Sequence, residues 1–410
     1  MTETMEPRAQ GRPPWWLQRR AAWLLWLLAG LMFAQGCYKF VSGLHGAWIL
    51  DADLDMQMRA AEYDLFRAQY YPNHQVEKAP PGVVQRFPEG VRAIHSVYPP
   101  YAFPTFAAYF EPGGISQGRV VLLTLWVASL AGMGAMGFHA LRDGGPAIAC
   151  IGALTAFAIS GNKSALHLGQ FVMPCVGLLM LQLRLIRRGR PIAAGLCWSL
   201  AMVKPQVALP FAALFLLRKQ WQGLAVGAVV LGLLSWAACA WTDNDLVAVL
   251  AQWSGNASKN FATEGFKASP AALADAIGTD RLAVQLSLLA AAAALLCFAA
   301  AAVRRLGSDC LLPLAGLASV AGMLCFYHRL YDQIMLLPML LAVMSLAVRS
   351  AHPGAAALAV AALASLLVPI RLYETLPPLV PAAATIWILG GVVPLAAAVL
   401  GKRRSPLPSA

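Results

Sequence analysis

The sequence predicts an all-α polytopic membrane protein of about twelve transmembrane helices, and three observations support that fold class. Hydrophobic residues make up 59% of the 410 residues and charged residues only 12%, which is too apolar for ordinary soluble domains. Apolar runs near the length that crosses a bilayer core, about 20 residues, recur from Ala21 to the C-terminal region. Basic residues gather at alternate boundaries between these runs, as expected for a chain that crosses a membrane repeatedly.

The predicted membrane segments follow one another with short polar breaks. The first, 21–44, is long enough to span and lacks a convincing small-residue cleavage site, so we expect a retained anchor. The remaining segments are 119–141, 146–161, 168–186, 191–203, 205–217, 222–242, 282–303, 310–326, 331–348, 354–370 and 379–400.

The basic residues predict the orientation of the chain. More than half of the 31 lysines and arginines, but few of the 19 acidic residues, fall on one side of the predicted segments, and basic residues mark the cytoplasmic side. These residues are Arg8, Arg12, Arg19, Arg20, Arg142, Arg184, Arg187, Arg188, Arg190, Arg218, Lys219, Arg304, Arg305, Arg349, Lys402, Arg403 and Arg404. We therefore expect cytoplasmic tails at 1–20 and 401–410 around one transmembrane domain, 21–400, in the plasma or inner membrane of a bacterium. The net charge of +12 then reflects topology and not nucleic-acid binding.

The segment between Pro191 and Leu217 does not fit one full crossing or two. It lies between two basic clusters, so a single crossing would place them on opposite sides, whereas two crossings need about 40 residues. The sequence predicts two short helices that break at Lys204-Pro205, because proline lacks an N–H and disfavours helix at the residue before it. Backbone freed by such a break must face protein or a watery cavity.

Two predicted outward loops are long, 45–118 and 243–281, and they do not resemble the matched halves of repeat-built transporters. In the first loop, Asp51 to Phe66 has the period of a helix that lies along the membrane surface. Its polar stripe contains Asp51, Asp55, Arg59 and Glu62, and its apolar stripe contains Leu54, Met58, Ala61 and Leu65. A carboxylate there would suit a general base toward a sugar hydroxyl. The alternative is a solvated helix with an Asp–Arg pair worth about 0.3–0.5 kcal/mol.

Further along the same loop, an aromatic and proline-rich turn begins at Tyr98 and leads back to the membrane. Its aromatic side chains are either interfacial anchors or the wall of a groove for an isoprenoid chain.

Three predicted outward turns carry polar groups that topology does not require. They are Asn162-Lys163-Ser164 leading to Gly169-Gln170, then Lys204-Pro205-Gln206, then Tyr327-His328-Arg329 followed by Tyr331-Asp332. A basic residue at membrane depth costs about 2.5–3.5 kcal/mol, so it normally has a partner or a function. Lys204, His328 and Arg329 together would receive an anionic phosphate. Alternatively, Arg329 pairs with Asp332 and Lys204 pairs with a loop carboxylate.

The eight cysteines stand singly in or beside apolar runs, so no zinc site or disulfide framework is indicated. We expect no cofactor, and the sequence does not address a metal requirement.

The order of these elements resembles the family-87 glycosyltransferases. The resemblance runs from about Asp51 to Asp332. It rests on the acidic helix, Tyr98-Pro99-Pro100, Gly169-Gln170, the basic Arg187 to Arg190 with Ala194-Gly195 after it, and Lys204-Pro205-Gln206.

This family belongs to the GT-C superfamily and is typified by mannosyltransferases that use polyprenyl-phosphate-mannose. The resemblance implies a GT-C-type helix bundle with interfacial helices in the first outward loop and a polyprenyl-phosphate sugar donor, with mannose favoured. It further implies a lipid or glycan acceptor and inverting transfer on the periplasmic side.

The resemblance also assigns roles to particular residues. It implies that Asp55 is the catalytic base, with Asp53 as the fallback. His328 would lie near the donor phosphate, and Lys204 and Arg329 would stabilise its charge. Further site candidates are Arg59, Glu62, Tyr98, Gln170, Tyr331 and Asp332.

One departure from the family limits this transfer of roles, because Phe171-Val172-Met173-Pro174 follows Gln170 where the family often has an asparagine. Two other classes remain open: a transporter or flippase of a lipid-linked or anionic solute, and a structural subunit without chemistry. A transporter would explain Lys204 equally well. It would not explain why one acidic outward loop is so large.

Overall fold

The computed structural model describes residues 19–49, 54–68, 98–111, 113–263, 281–306, 310–326, 328–350, 352–376 and 378–401, and within these ranges the chain is helical without any strand. The α-helices, numbered in chain order, are α1 Arg19–Leu44, α2 Leu54–Arg67, α3 Phe103–Phe110, α4 Gly114–Leu141, α5 Pro146–Ala158, α6 Asn162–His167, α7 Val172–Arg187, α8 Pro191–Ala201, α9 Pro205–Ala208, α10 Ala212–Leu217, α11 Trp221–Trp241, α12 Leu246–Thr263, α13 Arg281–Leu306, α14 Leu311–Cys325, α15 Leu337–Ser350, α16 Pro353–Leu367, α17 Ile370–Thr375 and α18 Leu379–Gly401. A π-helical turn, His45–Ile49, continues α1, and a 3-10 helix, Leu330–Leu336, leads into α15.

Five helical stretches in the described part of the chain are long and apolar enough to cross a membrane. They are Ala22–Ile49, Gly114–Gly144, Trp221–Trp241, Tyr331–Ser350 and Leu379–Leu400. The protein is therefore a helical integral membrane protein, which confirms the coarse prediction. The prediction of about twelve spans is not established, because several apolar helices are short. For example, α8 has 11 residues and α14 has 15, so they measure about 17–23 Å against a bilayer core of about 30 Å.

Burial separates the central helix from those that face lipid. In the stretch Tyr331–Ser350, 83% of the most apolar window is buried inside the protein, whereas the other four stretches are 22–33% buried. Large apolar side chains such as Trp23, Trp26 and Trp236 are mostly exposed on the outer helices. A helix that is apolar on all sides lies either in the protein core or against lipid. The 331–350 segment takes the first position, and the outer helices take the second.

Glycines let pairs of helices approach closely. A Cβ atom at Gly137 of α4 would lie 2.1 Å from the carbonyl oxygen of Gly152 in α5, and one at Gly195 of α8 would lie 2.2 Å from that of Gly223 in α11. Small residues at such crossings allow backbone contact between membrane helices. The Gly195 position that contributes to the family resemblance therefore has a packing role.

The predicted break at Lys204-Pro205 is confirmed, because α8 ends at Ala201 and α9 begins at Pro205. The predicted helix 168–186 is shorter than expected. It begins at Val172, since the preceding turn contains Gly169 in the left-handed conformation with φ +72°. The loop 243–281, which was predicted to face outward, contains α12, and residues 264–280 lie outside the described part of the chain. Most of both predicted tails, 1–18 and 402–410, also lies outside it.

Candidate functional site

The helix break at Lys204 and the turn at His328 come together in the interior. The Lys204 Nζ donates to Asp332 Oδ1 at 3.0 Å, and His328 Nδ1 lies 3.4 Å from Asp332 Oδ2. All three residues are at most 3% exposed. The sequence indicated a loop carboxylate as an alternative partner of Lys204. In the structure this partner is Asp332, which is distant in sequence but adjacent in space.

Local backbone structure holds each member of this group. Lys204 precedes Pro205 and has φ −113° and ψ 85°, outside the helical region. Its side chain therefore projects from the non-helical break between α8 and α9. Asp332 lies at the start of the 3-10 helix, where Oδ2 also accepts from the Arg329 backbone N–H at 3.2 Å. The carboxylate therefore receives hydrogen bonds from the turn that presents it.

Both ring nitrogens of His328 face acceptors. Nε2 lies 3.0 Å from the carbonyl oxygen of Gly322 near the C-terminus of α14, and Nδ1 faces the Asp332 carboxylate. A neutral ring donates to one of these two acceptors, and its tautomer determines which one.

Two other predicted residues stand beside this group. The Lys204 ammonium lies 5.0 Å from the centroid of the Tyr331 ring, a cation–π contact. Arg329 is exposed. Tyr327, which precedes His328, lies outside the described residues.

The Gly169-Gln170 turn packs against the start of α2. A Cβ atom at Gly169 would lie 2.7 Å from the Met56 Cβ, so only glycine permits this approach. The buried Gln170 is fixed through its backbone, whose carbonyl accepts from Trp126 Nε1 at 3.1 Å. Since Met56 follows Asp55, this contact fixes the backbone position of the first turn of α2.

Further along the chain, the N-terminal part of α7 connects this turn to the Lys204 group. The buried Cys175 side chain lies close to both Lys204 and Asp332. Cys175 is six residues beyond Gly169, so the two contacts are separated by on the order of 10 Å.

Helix α2 is more deeply packed than a helix on the membrane surface. Arg59 and Glu62 from its predicted polar stripe are 8% and 1% exposed, and their side chains pair at 3.4 Å. The Arg59 guanidinium also stacks over the Tyr98 ring at 4.4 Å. The alternative of a solvated polar face is therefore wrong for these two residues, because the face packs against the aromatic turn.

The far end of α2 is held by polar and aromatic contacts. The Tyr63 hydroxyl donates to Glu111 Oε1 at 2.6 Å, and the Phe66 ring stacks on Phe103 with centroids 4.0 Å apart. The Asn244 side chain donates to the Phe66 carbonyl at 2.9 Å. Burial, followed by the hydrogen bond to Glu111, raises the pKa of Tyr63 well above its ordinary value, so the hydroxyl remains a donor.

Of the two predicted catalytic carboxylates, Asp55 and Asp53, the structure describes only the backbone of Asp55. The backbone of Asp55 lies in the first turn of α2, while its side chain, like the whole of Asp53, lies outside what the structure describes. The structure thus brings together Lys204, His328, Asp332 and Tyr331, and it brings Arg59, Glu62 and Tyr98 together in a neighbouring group.

Two buried residues escaped the sequence analysis. Neither amide atom of Gln333 makes a hydrogen bond in the described part of the chain, although the residue is 0% exposed. Lys39 in α1 is 8% exposed and close enough to Lys163 for electrostatic repulsion. The sequence could have indicated Gln333, because it directly follows the polar turn at 327–332. It gave no such indication for Lys39, which stands alone in an apolar run. Among the described residues, no cluster of three His, Cys, Asp or Glu side chains has the arrangement of a metal site.

Comparison with known proteins gives one match. The sequence profile of glycosyltransferase family 87 matches residues 97–327, which is more than half of the chain. No curated protein and no solved structure matches this sequence. The matched region includes Gly169-Gln170 and Lys204, and it ends directly before His328.

Proposed function

Since the chain belongs to glycosyltransferase family 87, we propose that this membrane glycosyltransferase moves a sugar, mannose favoured, from a polyprenyl-phosphate donor to a lipid or glycan acceptor. In this proposal the reaction takes place at the periplasmic face of a bacterial inner membrane and inverts the anomeric centre. Both chain termini are cytoplasmic.

One structural observation supports a specific location for the active site, which family membership alone does not give. Polar groups from two separate parts of the chain meet inside the helix bundle. Lys204 and Asp332 pair there, and His328 faces the same carboxylate. The start of α2, with Asp55 in its first turn, is fixed nearby by the contact between Met56 and Gly169. Isolated ionisable groups are costly inside a membrane protein, so such a group marks a functional site.

The charges of Lys204, Asp332, His328 and Arg329 indicate how each residue would contribute to binding the leaving phosphate. Asp332 compensates the charge of Lys204, so Lys204 offers its remaining N–H donors more than net charge. His328 adds a ring N–H donor, and the exposed Arg329 adds a guanidinium group. A guanidinium binds phosphate through two parallel hydrogen bonds, which suits Arg329 to the outer part of the donor site.

The proposed chemistry is a single displacement. Asp55 removes the proton from the acceptor hydroxyl as its oxygen attacks the anomeric carbon, and Asp53 is the fallback base. The bond between the anomeric carbon and the phosphate oxygen breaks, and its electron pair leaves with the polyprenyl phosphate. His328, Lys204 and Arg329 stabilise the negative charge that develops on that phosphate. No metal step is required by this scheme.

Neighbouring residues supply recognition. Gln333 is a candidate to bind a sugar hydroxyl, because its buried amide has no hydrogen-bond partner among the described residues and such groups are normally satisfied. Tyr98 is held by Arg59, and its aromatic turn forms one wall for the isoprenoid chain. Glu62 orients Arg59, while Gln170, Tyr331 and Asp332 shape the phosphate pocket.

Membership of a glycosyltransferase family argues against the transporter alternative and against a purely structural role. Purified protein should be incubated with polyprenyl-phosphate sugars and candidate acceptors, and the products identified by mass spectrometry. We expect one polyprenyl-phosphate sugar to give a glycosylated acceptor. Transfer only from nucleotide sugars would contradict the donor assignment, and absence of transfer with movement of an intact lipid-linked sugar across vesicles would favour transport.

A further inference from the structure

The ends of α4, α7, α14 and α15 that lie away from Lys204 enclose a cavity of about 510 Å³. We call this region the arginine end. Its basic lining residues come from separate elements of the chain: His139, Arg142, Arg184, Arg187, Arg188 and Arg349. Apolar residues, among them Leu183 and Leu341, line the rest of the cavity.

The cavity has a large excess of positive charge. Among the described lining residues Asp143 is the one acidic residue, and it pairs with Arg142 at 3.7 Å while both side chains are more than 60% exposed. Such an exposed pair is weak. Within the described ranges, no carboxylate lies within 4.0 Å of the guanidinium groups of Arg184, Arg187 and Arg188. The arginine end therefore lacks the internal compensation that balances Lys204.

Membrane topology explains why basic residues are frequent at this end, but not why they surround one cavity. Arg190 and Lys219 are exposed close in sequence to the lining arginines, and neither lines the cavity. The convergence of five arginines from three parts of the chain, the end of α4, the end of α7 and the end of α15, is instead a built arrangement for an anion. Arginine is suited to phosphate because its fork of donors matches phosphate oxygens.

A second cavity of about 170 Å³ adjoins the first, and the two share Leu312 and Arg349. Apart from Arg349 and Ser345 its lining is apolar, and it includes Leu346 and Pro394. The Arg349 guanidinium donates to Ser345 Oγ at 2.7 Å, which fixes its position between the cavities. A charged cavity joined to an apolar one fits an amphiphile better than a free ion.

We propose that the arginine end binds the phosphate headgroup of an anionic phospholipid, with an acyl chain along the adjoining apolar cavity. Basic pockets between transmembrane helices bind such headgroups on the cytoplasmic side, where the basic residues of this chain are predicted to lie. The site is separate from the proposed donor site, because α7 spans 16 residues, about 24 Å, between them. The inference does not depend on the proposed transfer reaction.

Native mass spectrometry of the full-length protein in detergent tests this site. Cardiolipin, phosphatidylglycerol and phosphatidylcholine would be titrated separately, and inorganic pyrophosphate would be added as the water-soluble arm. The variant R187Q/R188Q removes two lining charges, and R190Q/K219Q removes two charges from the same end without altering the lining. Thermal unfolding without added lipid checks that both variants remain folded.

We expect the anionic lipids to bind at least about tenfold more tightly than phosphatidylcholine, because each basic residue near a membrane surface contributes measurably to anionic-lipid binding. R187Q/R188Q should lose about tenfold in that affinity, and R190Q/K219Q should keep it. Equal losses in both variants, or equal binding of all three lipids, would overturn the proposal. Binding of pyrophosphate without anionic lipid would overturn the lipid assignment.

Discussion

At the Lys204 end of the bundle the charged groups are buried and paired with one another, whereas at the arginine end they are exposed and mostly lack carboxylate partners among the residues that the structure describes. Lys204 and Asp332 are each about 3% exposed and 3.0 Å apart. Arg184, Arg187 and Arg188 stand on an open rim.

The difference follows from the cost of desolvation. A buried charge must find an opposite charge inside the protein, while an exposed one retains water and is available to an incoming anion. Substitutions at the first end should therefore change stability and chemistry together, and substitutions at the second should change binding alone.

The largest effect is expected from Asp55→Asn, which removes the proposed base with little change of volume. Transfer should fall at least about 100-fold, since a general base contributes about 10²–10⁴-fold. Product formation in membranes, normalised to the amount of folded protein, measures the loss. Asp64→Asn in the same helix is the matched control and should retain transfer. Unchanged product formation with Asp55→Asn would remove Asp55 from the mechanism.

Asp332→Asn tests the paired end directly. Removing one partner of a buried ion pair leaves Lys204 uncompensated and costs about 3–5 kcal/mol. Thermal unfolding in detergent should show a large fall in the midpoint. The double variant Lys204→Met/Asp332→Leu should recover much of the stability, because apolar groups of similar size replace such pairs well.

Recovered stability without recovered transfer would separate the structural role of the pair from its role at the donor site. A double variant as unstable as Asp332→Asn would show that the pair is not the source of the loss.

Gly169→Ala tests whether the turn before α7 positions the start of α2. The residue has φ +72°, and an added Cβ would lie 2.7 Å from Met56, so both backbone strain and a clash oppose it. Gly189→Ala is a matched control, since its φ of +65° imposes similar strain but no atom lies within 4 Å of the added Cβ. Each should lose about 1–2 kcal/mol from the backbone term.

Only Gly169→Ala should also reduce transfer at matched folded concentration, because it displaces the helix that contains Asp55. Equal transfer by the two variants would mean that the Met56 contact does not position the site.

The sequence predicted the helical membrane class and the break at Lys204-Pro205, because these depend on local composition and on proline chemistry. It also indicated the family through the order of its short motifs. It further predicted that Lys204, His328 and Arg329 lie on the same face as Asp55, which stays a prediction. It did not predict which carboxylate pairs with Lys204, since Asp332 is distant in sequence.

The sequence also did not predict how α2 packs, because the partners of α2 are distant in sequence. Its polar stripe has the period of a solvated helix, and only tertiary contact with Tyr98 shows that Arg59 and Glu62 are buried. The sequence assigned the arginines to topology and, for Arg187 to Arg190, to the family resemblance, because their convergence on one cavity depends on tertiary packing.

The smallest effect on transfer is expected from Arg329→Gln. This variant tests whether an exposed cation at the Lys204 end contributes to donor binding without contributing to stability. Arg329 is exposed, so its loss should leave thermal stability nearly unchanged. The donor concentration for half-maximal transfer should rise about tenfold, as expected for one charge-assisted phosphate contact worth about 1.4 kcal/mol. Lys204→Ala should also weaken donor use, but with a loss of stability, because it leaves Asp332 buried without its ammonium partner. If Arg329→Gln lowered stability as much as Lys204→Ala while the donor dependence stayed the same, the assignment of Arg329 to the donor phosphate would be wrong.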